Sequence, residues 1–340
     1  MRDGAAACSL GNLGTYSTDN EHDQANLRAT NYKGLYVDDF SAILGNKTRE
    51  NNLLKYARDN GFTTLSLYDL QRILHPNMID RANTMQLADF IYKAKTDYCI
   101  QCITAIGENA DFFRDVISAY NHLRPQKDQK IDAYNLEFEF WNYIAIGVGK
   151  DNYCTNYLRY AGANCDVEGA FHFYMQQLAR LHQLAVQDNC LCETYVGQFD
   201  EKKIKEMLPF LNRILIHAYV SNPSTSYQYT VERLMLFAGT NAVTNVIIIF
   251  SSEAEFSGPW LYAQDESAAF KIYRKSYGAD NERFKSHVNL LGYQWFDYSN
   301  MPHIGSQTTN NSNIDTGIPD IFKTEFIPAF GVGVFWQIAW

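Results

Sequence analysis

Eight times between residues 34 and 300 a short apolar run gives way to a polar or amphipathic stretch, and nothing else in the chain restricts its fold so tightly. The apolar runs fall at 35–40, 64–70, 98–106, 132–140, 193–199, 213–220, 245–252 and 289–298. Helical periodicity occupies 48–60, 83–96, 109–122, 168–187, 231–237 and 268–277. Parallel strands cannot be joined by a hairpin; they need a long crossover, and the intervening helices supply it. Eight such units predict an α/β fold, a single closed (β/α)8 TIM barrel over residues 34–300. A doubly wound open sheet requires a glycine-rich phosphate turn after its first strand, and Val37-Asp-Asp-Phe-Ser41 contains no glycine. Residues 1–33, polar and poor in large aliphatics, are expected as an extended arm. Residues 301–340 form an extension that begins rich in Asn, Thr and Ser and ends in an apolar tail.

With 29 basic against 38 acidic residues the net charge is -9, and no basic run interrupts it. That balance opposes binding to phosphate backbones and to anionic membrane surfaces, so nucleic acid is not an expected partner. The longest aliphatic run, Val246-Ile-Ile-Ile-Phe250, suits a buried strand and is far short of the roughly 20 residues a membrane span needs. The opening Met1-Arg-Asp-Gly-Ala-Ala-Ala-Cys8 lacks the hydrophobic stretch of a complete secretory signal. Cys154 and Cys165 bracket a Gly-, Asn- and Tyr-rich connection, the placement of a disulfide staple in an oxidising compartment. Cys99, Cys102, Cys190 and Cys192 lie in apolar surroundings with no histidine pair at ligand spacing; they are read as buried thiols, and no metal or cofactor is expected.

The fourth apolar run is the one that carries chemistry. In Asp132-Ala-Tyr-Asn135-Leu-Glu137-Phe-Glu139-Phe-Trp141, polar and large apolar side chains alternate, which in a strand puts Asn135, Glu137, Glu139 and Trp141 on one face. Two ionised carboxylates so placed repel, and the expected result is one raised pKa. A solvated edge strand is the plainer reading, but Leu136, Phe138 and Phe140 need a buried cover on the other face.

In a barrel of this type the site lies at the C-terminal ends of the strands. Those ends are polar here: Asp38 and Asp39, Tyr68 and Asp69, Glu108, Gln198, His217 and Tyr219, Glu253 and Glu255, and Gln294, Trp295, Phe296, Asp297 and Tyr298. Aromatic faces that stack on sugar rings, beside carboxyls that supply acid and base, point to carbohydrate chemistry. Asp132, Trp141, Glu253, Gln294, Trp295 and Phe296 are the expected substrate contacts.

The spacing Asp132-x-x-Asn135-x-Glu137-x-Glu139 resembles the D-x-x-D-x-D-x-E signature of family-eighteen glycoside hydrolases, the chitinases and endo-β-N-acetylglucosaminidases. Ala105-Ile-Gly-Glu108 is similar to the end of that family's third strand, and Tyr219 falls where its sixth carries a substrate-orienting tyrosine. The resemblance implies that Glu139 is the general acid on the glycosidic oxygen. It also implies that Glu137 stabilises a substrate acetamido group attacking its own anomeric carbon. Asn135 and Glu137 depart from the signature, which has Asp at both positions, and Val220 replaces an Asp after the tyrosine. The chain is also similar to secreted Bacteroidetes barrel proteins of unassigned function through Gly61-Phe-Thr-Thr-Leu-Ser-Leu-Tyr-Asp69, Tyr134-Asn-Leu-Glu137 and Gly292-Tyr-Gln294, which implies an exported or cell-surface setting.

Two other readings use the same residues. Retaining glycosidases of another clan place an acid/base Glu after strand four and a nucleophilic Glu after strand seven, where Glu253 and Glu255 stand. The non-enzymatic alternative is an inactive barrel that holds a glycan, a glycoprotein or, through its apolar C-terminal tail, a protein partner.

Overall fold

The computed structural model describes residues 32–302 apart from 148, 150, 151, 241, 285 and 286. The expected polar arm and the apolar tail thus lie almost wholly outside the described residues. Eight parallel strands close into a barrel in chain order. They are β1 (Tyr32–Val37), β2 (Thr64–Leu67), β3 (Cys102–Gly107), β4 (Ala133–Leu136), β5 (Leu191–Val196), β6 (Arg213–His217), β7 (Thr244–Ser251) and β8 (Val288–Phe296). Closure comes from β1 and β8, which set Tyr32 opposite Gly292 and Gly34 opposite Gln294. The longer helices are α1 (Lys47–Asp59), α2 (Met85–Asp97), α3 (Val167–Asp188), α4 (Ser226–Ala238) and α5 (Ala268–Ala279). The (β/α)8 architecture expected from the alternation is the one observed.

Local chemistry explains the elements. Parallel strands covered on both faces read as continuous apolar runs, and all of β7 is buried. At the start of α1 the Asn46 side chain accepts from the N–H groups of Thr48 and Arg49 at 3.1 and 3.2 Å, satisfying two donors that the helix cannot.

Strand ends differ from expectation, because apolarity marks burial and not membership of a ladder. The run 35–40 contributes only Leu35, Tyr36 and Val37 to β1, which begins at Tyr32; Phe40 starts a one-turn helix and packs on Phe90 at 4.9 Å. The run 132–140 pairs only as far as Leu136, although Phe138 and Phe140 beyond it are fully buried. Cys99 is an exposed residue at φ 61° before β3 and is disulfide-bonded, which corrects its reading as a buried thiol. Cys102, Cys190 and Cys192 are free, and burial pushes the thiols of Cys102 and Cys190 up to about 11 and about 12.

Residues Glu139–Phe173 belong to a compact unit separate from the one that holds the eight strands. Within it the Cys154–Cys165 disulfide is formed, and Phe140 packs on Trp141 at 5.1 Å and on Phe171 at 5.0 Å. Tyr143 and Tyr160 are exposed on this segment.

Candidate active site at the barrel mouth

Glu137 follows the last residue of β4, and its N–H still donates to the Gly107 carbonyl at 2.9 Å, so the ladder orients it although the strand has ended. The Tyr36 hydroxyl donates to Glu137 Oε2 at 2.9 Å. Burial and the Glu137 charge both hold the Tyr36 phenol well above its ordinary pKa, so it remains a donor. Both residues line a pocket with Asn135, Tyr195, Tyr219, Gln294 and Phe296, a space of about 250 Å3 including its open entrance. Aromatic faces build its wall: Phe296 lies edge-on to Tyr36 at 4.8 Å and nearly parallel to Tyr219 at 6.2 Å, and Tyr219 meets Phe256 at 5.2 Å.

Polar side chains inside the barrel support this pocket from below. The β4–β5 and β5–β6 registers place Asn135 beside Glu193 and Glu193 beside Arg213. Arg213 is ion-paired with Glu193 Oε2, and Asn135 Nδ2 donates to Glu193 Oε1 at 3.3 Å. The three residues are 5, 0 and 2 % exposed in the order Arg213, Glu193, Asn135, so the pair is shielded from water. Across the barrel Gln294 Oε1 accepts from the hydroxyls of Tyr32 at 2.6 Å and Ser66 at 3.0 Å.

A second acidic group lies around the ends of β1, β7 and β8. Asp297 Oδ1 accepts from the Asp38 N–H at 3.2 Å, and Asp297 is also bonded to Ser299 and, through its backbone, to Ser252. Burial, then the charges of Asp297, Asp39, Asp69 and Glu253, raise the Asp38 carboxyl to about 7. Burial likewise raises Asp297 and Glu253, the latter against the opposing bond from the Ser251 hydroxyl at 2.9 Å. Asp69, left-handed at φ 67°, is raised by burial, while its bond from Ser41 and the charge of Arg72, at 2.9 Å, pull it back.

Of the remaining expected residues, Asp132 and Trp295 lie away from the pocket. Asp132 precedes β4 at the opposite end of the barrel, where Lys95 at 2.8 Å and the Ile103 N–H at 2.8 Å hold it; it is a structural carboxylate and not a mouth residue. Trp295 alternates with Gln294 and Phe296 on β8, is fully buried against Phe250 at 5.2 Å, and donates to the Glu266 carbonyl at 3.1 Å, so it is core and not a substrate platform. Glu139 and Trp141 belong to the Glu139–Phe173 unit, where the Asn142 amide donates to Glu139 Oε2 at 2.7 Å. Glu255 is exposed in the turn after β7. His217, half-buried but with its ring nitrogens out of water, is pushed down to about 3 by that burial and then by the Arg233 charge, and is neutral.

Sequence reasoning missed Tyr36, Tyr195, Glu193 and Arg213. The signal for the last two was present: opposite charges embedded in two successive apolar strands, Leu191-Cys-Glu-Thr-Tyr-Val196 and Arg213-Ile-Leu-Ile-His217. Among the described residues no three His, Cys, Asp or Glu side chains gather as a metal site would require, and no helix is long and apolar enough to cross a membrane.

No protein-family model matches the chain, and no curated protein matches it in sequence. Among solved structures, a GH5_18 glycoside hydrolase variant from Streptomyces cattleya, in complex with Manβ1-4GlcNAc, is 12 % identical with a TM-score of 0.49, covering 78 % of this chain and 70 % of that one. A family 18 chitinase from Crocus vernus is 11 % identical with a TM-score of 0.43, covering 79 % and 93 %. A type I 3-dehydroquinate dehydratase from Clostridium difficile is 8 % identical with a TM-score of 0.38, covering 66 % and 77 %. These are distant likenesses of barrel architecture, shared with glycoside hydrolases, chitinases included, and with a dehydratase.

Proposed function

We propose that the barrel mouth binds glycans containing N-acetylhexosamine and hydrolyses them, with Glu137 as the group that stabilises the reacting sugar and Glu139, two residues on, as the general acid. The observation that carries this reading is the Glu137 carboxylate, oriented by the Tyr36 hydroxyl, in a pocket walled by Tyr219 and Phe296 at the C-terminal ends of the strands. A carboxylate beside aromatic faces suits an electron-poor anomeric centre on a ring that stacks. Tyr219 and Asn135 line the same pocket and are proposed to orient the substrate. An exported or cell-surface setting is part of the proposal, supported by the Cys154–Cys165 disulfide and by the disulfide at Cys99.

Incubation with chitin oligomers and high-mannose N-glycans, wild type beside Glu137→Gln and Glu139→Gln, tests it. The expected result is hydrolysis that falls by about 100-fold or more in either variant, the usual scale for a lost acid or base. Equal hydrolysis in all three proteins sinks the assignment. A second reading, a barrel that holds a glycan or protein partner without cleaving it, is favoured by the pocket's size: its cavity volume is about 10 Å3, room for about one water and far below the roughly 300–1,000 Å3 of most ligand sites. Retention on these glycans without hydrolysis selects that reading.

A further inference from the structure

We propose that Arg213, Glu193 and Asn135 form a relay through the barrel interior that fixes Asn135 Oδ1 as a hydrogen-bond acceptor at the pocket floor. A ligand is then selected for a donor group, a hydroxyl, amide N–H or ammonium, and against an anion. The inference rests on the glycan reading of the mouth only for the choice of probes.

The Asn135 amide has two ways to point. Asn135 is 2 % exposed, and its Nδ2 faces Glu193 Oε1 at 3.3 Å. An ionised carboxylate only accepts, so it must meet the N–H2 end of an amide and never the oxygen. The other Glu193 oxygen accepts from Arg213, a guanidinium that has only donors to offer and that also lies over the Tyr32 ring at 4.8 Å, so the carboxylate turns an acceptor toward the amide. The order of charge, Arg213 to Glu193 to Asn135, therefore propagates from strand to neighbouring strand and leaves Oδ1 at the free end.

That oxygen is buried and accepts no hydrogen bond from the protein. A buried acceptor without a protein partner takes its hydrogen bond from outside, from water in the resting protein and from a ligand donor that displaces it. Asn135 lines the mouth pocket, which gives that donor its route. A carboxylate or phosphate would bring a second acceptor against Oδ1 and a second negative charge beside Glu137, which lines the same space. Gln294, with its oxygen occupied by Tyr32 and Ser66, has only its amide nitrogen left to offer the pocket it shares. The floor thus pairs one acceptor with one donor, the complement of a hydroxyl or an amide. Arg213 and Glu193 are positioning residues in this scheme, since neither lines the pocket.

Two arms test the proposal. In the ligand-free protein with 15N-labelled asparagine, the side-chain N–H2 signal lost in Asn135→Leu is that of Asn135. Its two protons are expected to be widely split in the wild type by the bond to Glu193, and the splitting should collapse in Glu193→Gln. A splitting unchanged in Glu193→Gln overturns the relay. If that variant does not fold, Glu193→Leu combined with Arg213→Met removes the charge pair and the acceptor together and answers the same question. In the second arm, dissociation constants are measured for trimers of N-acetylglucosamine, glucosamine and galacturonic acid. The first two are expected to bind more tightly than the third, and Asn135→Leu should weaken them by about tenfold, the scale of one lost hydrogen bond in a dry site. Tighter binding of the galacturonic acid trimer, or an affinity unmoved by Asn135→Leu, overturns the acceptor role. No binding of any trimer removes the glycan reading and the ligand half of this inference together, while the amide spectrum decides the relay by itself.

Discussion

Asp38 carries a strongly displaced carboxyl, and its displacement has a testable sign. Its folded pKa, about 7, lies above the ordinary value of 3.8. Below pH 4 the folded and unfolded chains both hold the proton. Between pH 4 and 7 the folded chain holds it while the unfolded chain releases it, so stability falls as pH rises and levels off above 7. The full penalty is at most about 4 kcal/mol, reduced by the partial exposure of the group. Asp38→Asn, which stays neutral, should therefore melt a few degrees above the wild type at pH 8 and at nearly the same temperature at pH 4; calorimetry at several pH values checks this. Gly34 offers a steric counterpart. A Cβ there would stand 2.6 Å from Gln294 Oε1 and 2.8 Å from the Tyr32 ring, both deep in the barrel. Gly34→Ala is expected to lower stability by about 2 kcal/mol in denaturant titration, through displacement of the Tyr32–Gln294 bond.

At the scale of elements, the sharpest constraint sits where the barrel closes. Gly292 has φ 157°, pairs with both Tyr32 and Ile247, and any Cβ would collide with the Tyr32 carbonyl; the β7–β8 register also shifts between Val246 and Ile247. Gly292→Ala should therefore cost more than Gly34→Ala, about 3 kcal/mol or more, because backbone must move and not a side chain. The Cys154–Cys165 bridge spans a sequence separation of 11. Serine at both positions is expected to destabilise the Glu139–Phe173 unit by about 2–3 kcal/mol, measurable as faster hydrogen exchange in that segment. The positions of elements were legible in sequence because burial on both faces leaves apolar runs. Their ends were not, since Phe40, Phe138 and Phe140 are buried from outside the ladder and look the same as strand residues. The same confusion explains Trp295, whose neighbours Gln294 and Phe296 face the pocket while it faces away.

For the whole molecule, the eightfold alternation was enough to specify a closed barrel, because parallel strands of this number with helical crossovers have few other arrangements. The site was legible only in part. Asn135, Glu137, Tyr219, Gln294 and Phe296 meet in one pocket, as their positions near strand ends suggested. Asp38, Asp297 and Glu253 were expected at the same mouth from their strand-end positions, but that they interact with one another follows only from the barrel's closure, which brings the first strand beside the last.

The buried pair of Glu193 and Arg213 has a consequence for how this chain can change over generations. Losing either partner alone strands a charge in a dry interior, at a cost of about 3–5 kcal/mol, whereas replacing both at once with packed apolar residues is often neutral. A barrel of ordinary stability, about 5–15 kcal/mol, has little room for the single step. In a library randomised at both positions and selected for folding, survivors should carry either the intact pair or two neutral residues, with single replacements rare. The two codons, twenty positions apart in the chain, would behave under selection as one inherited character.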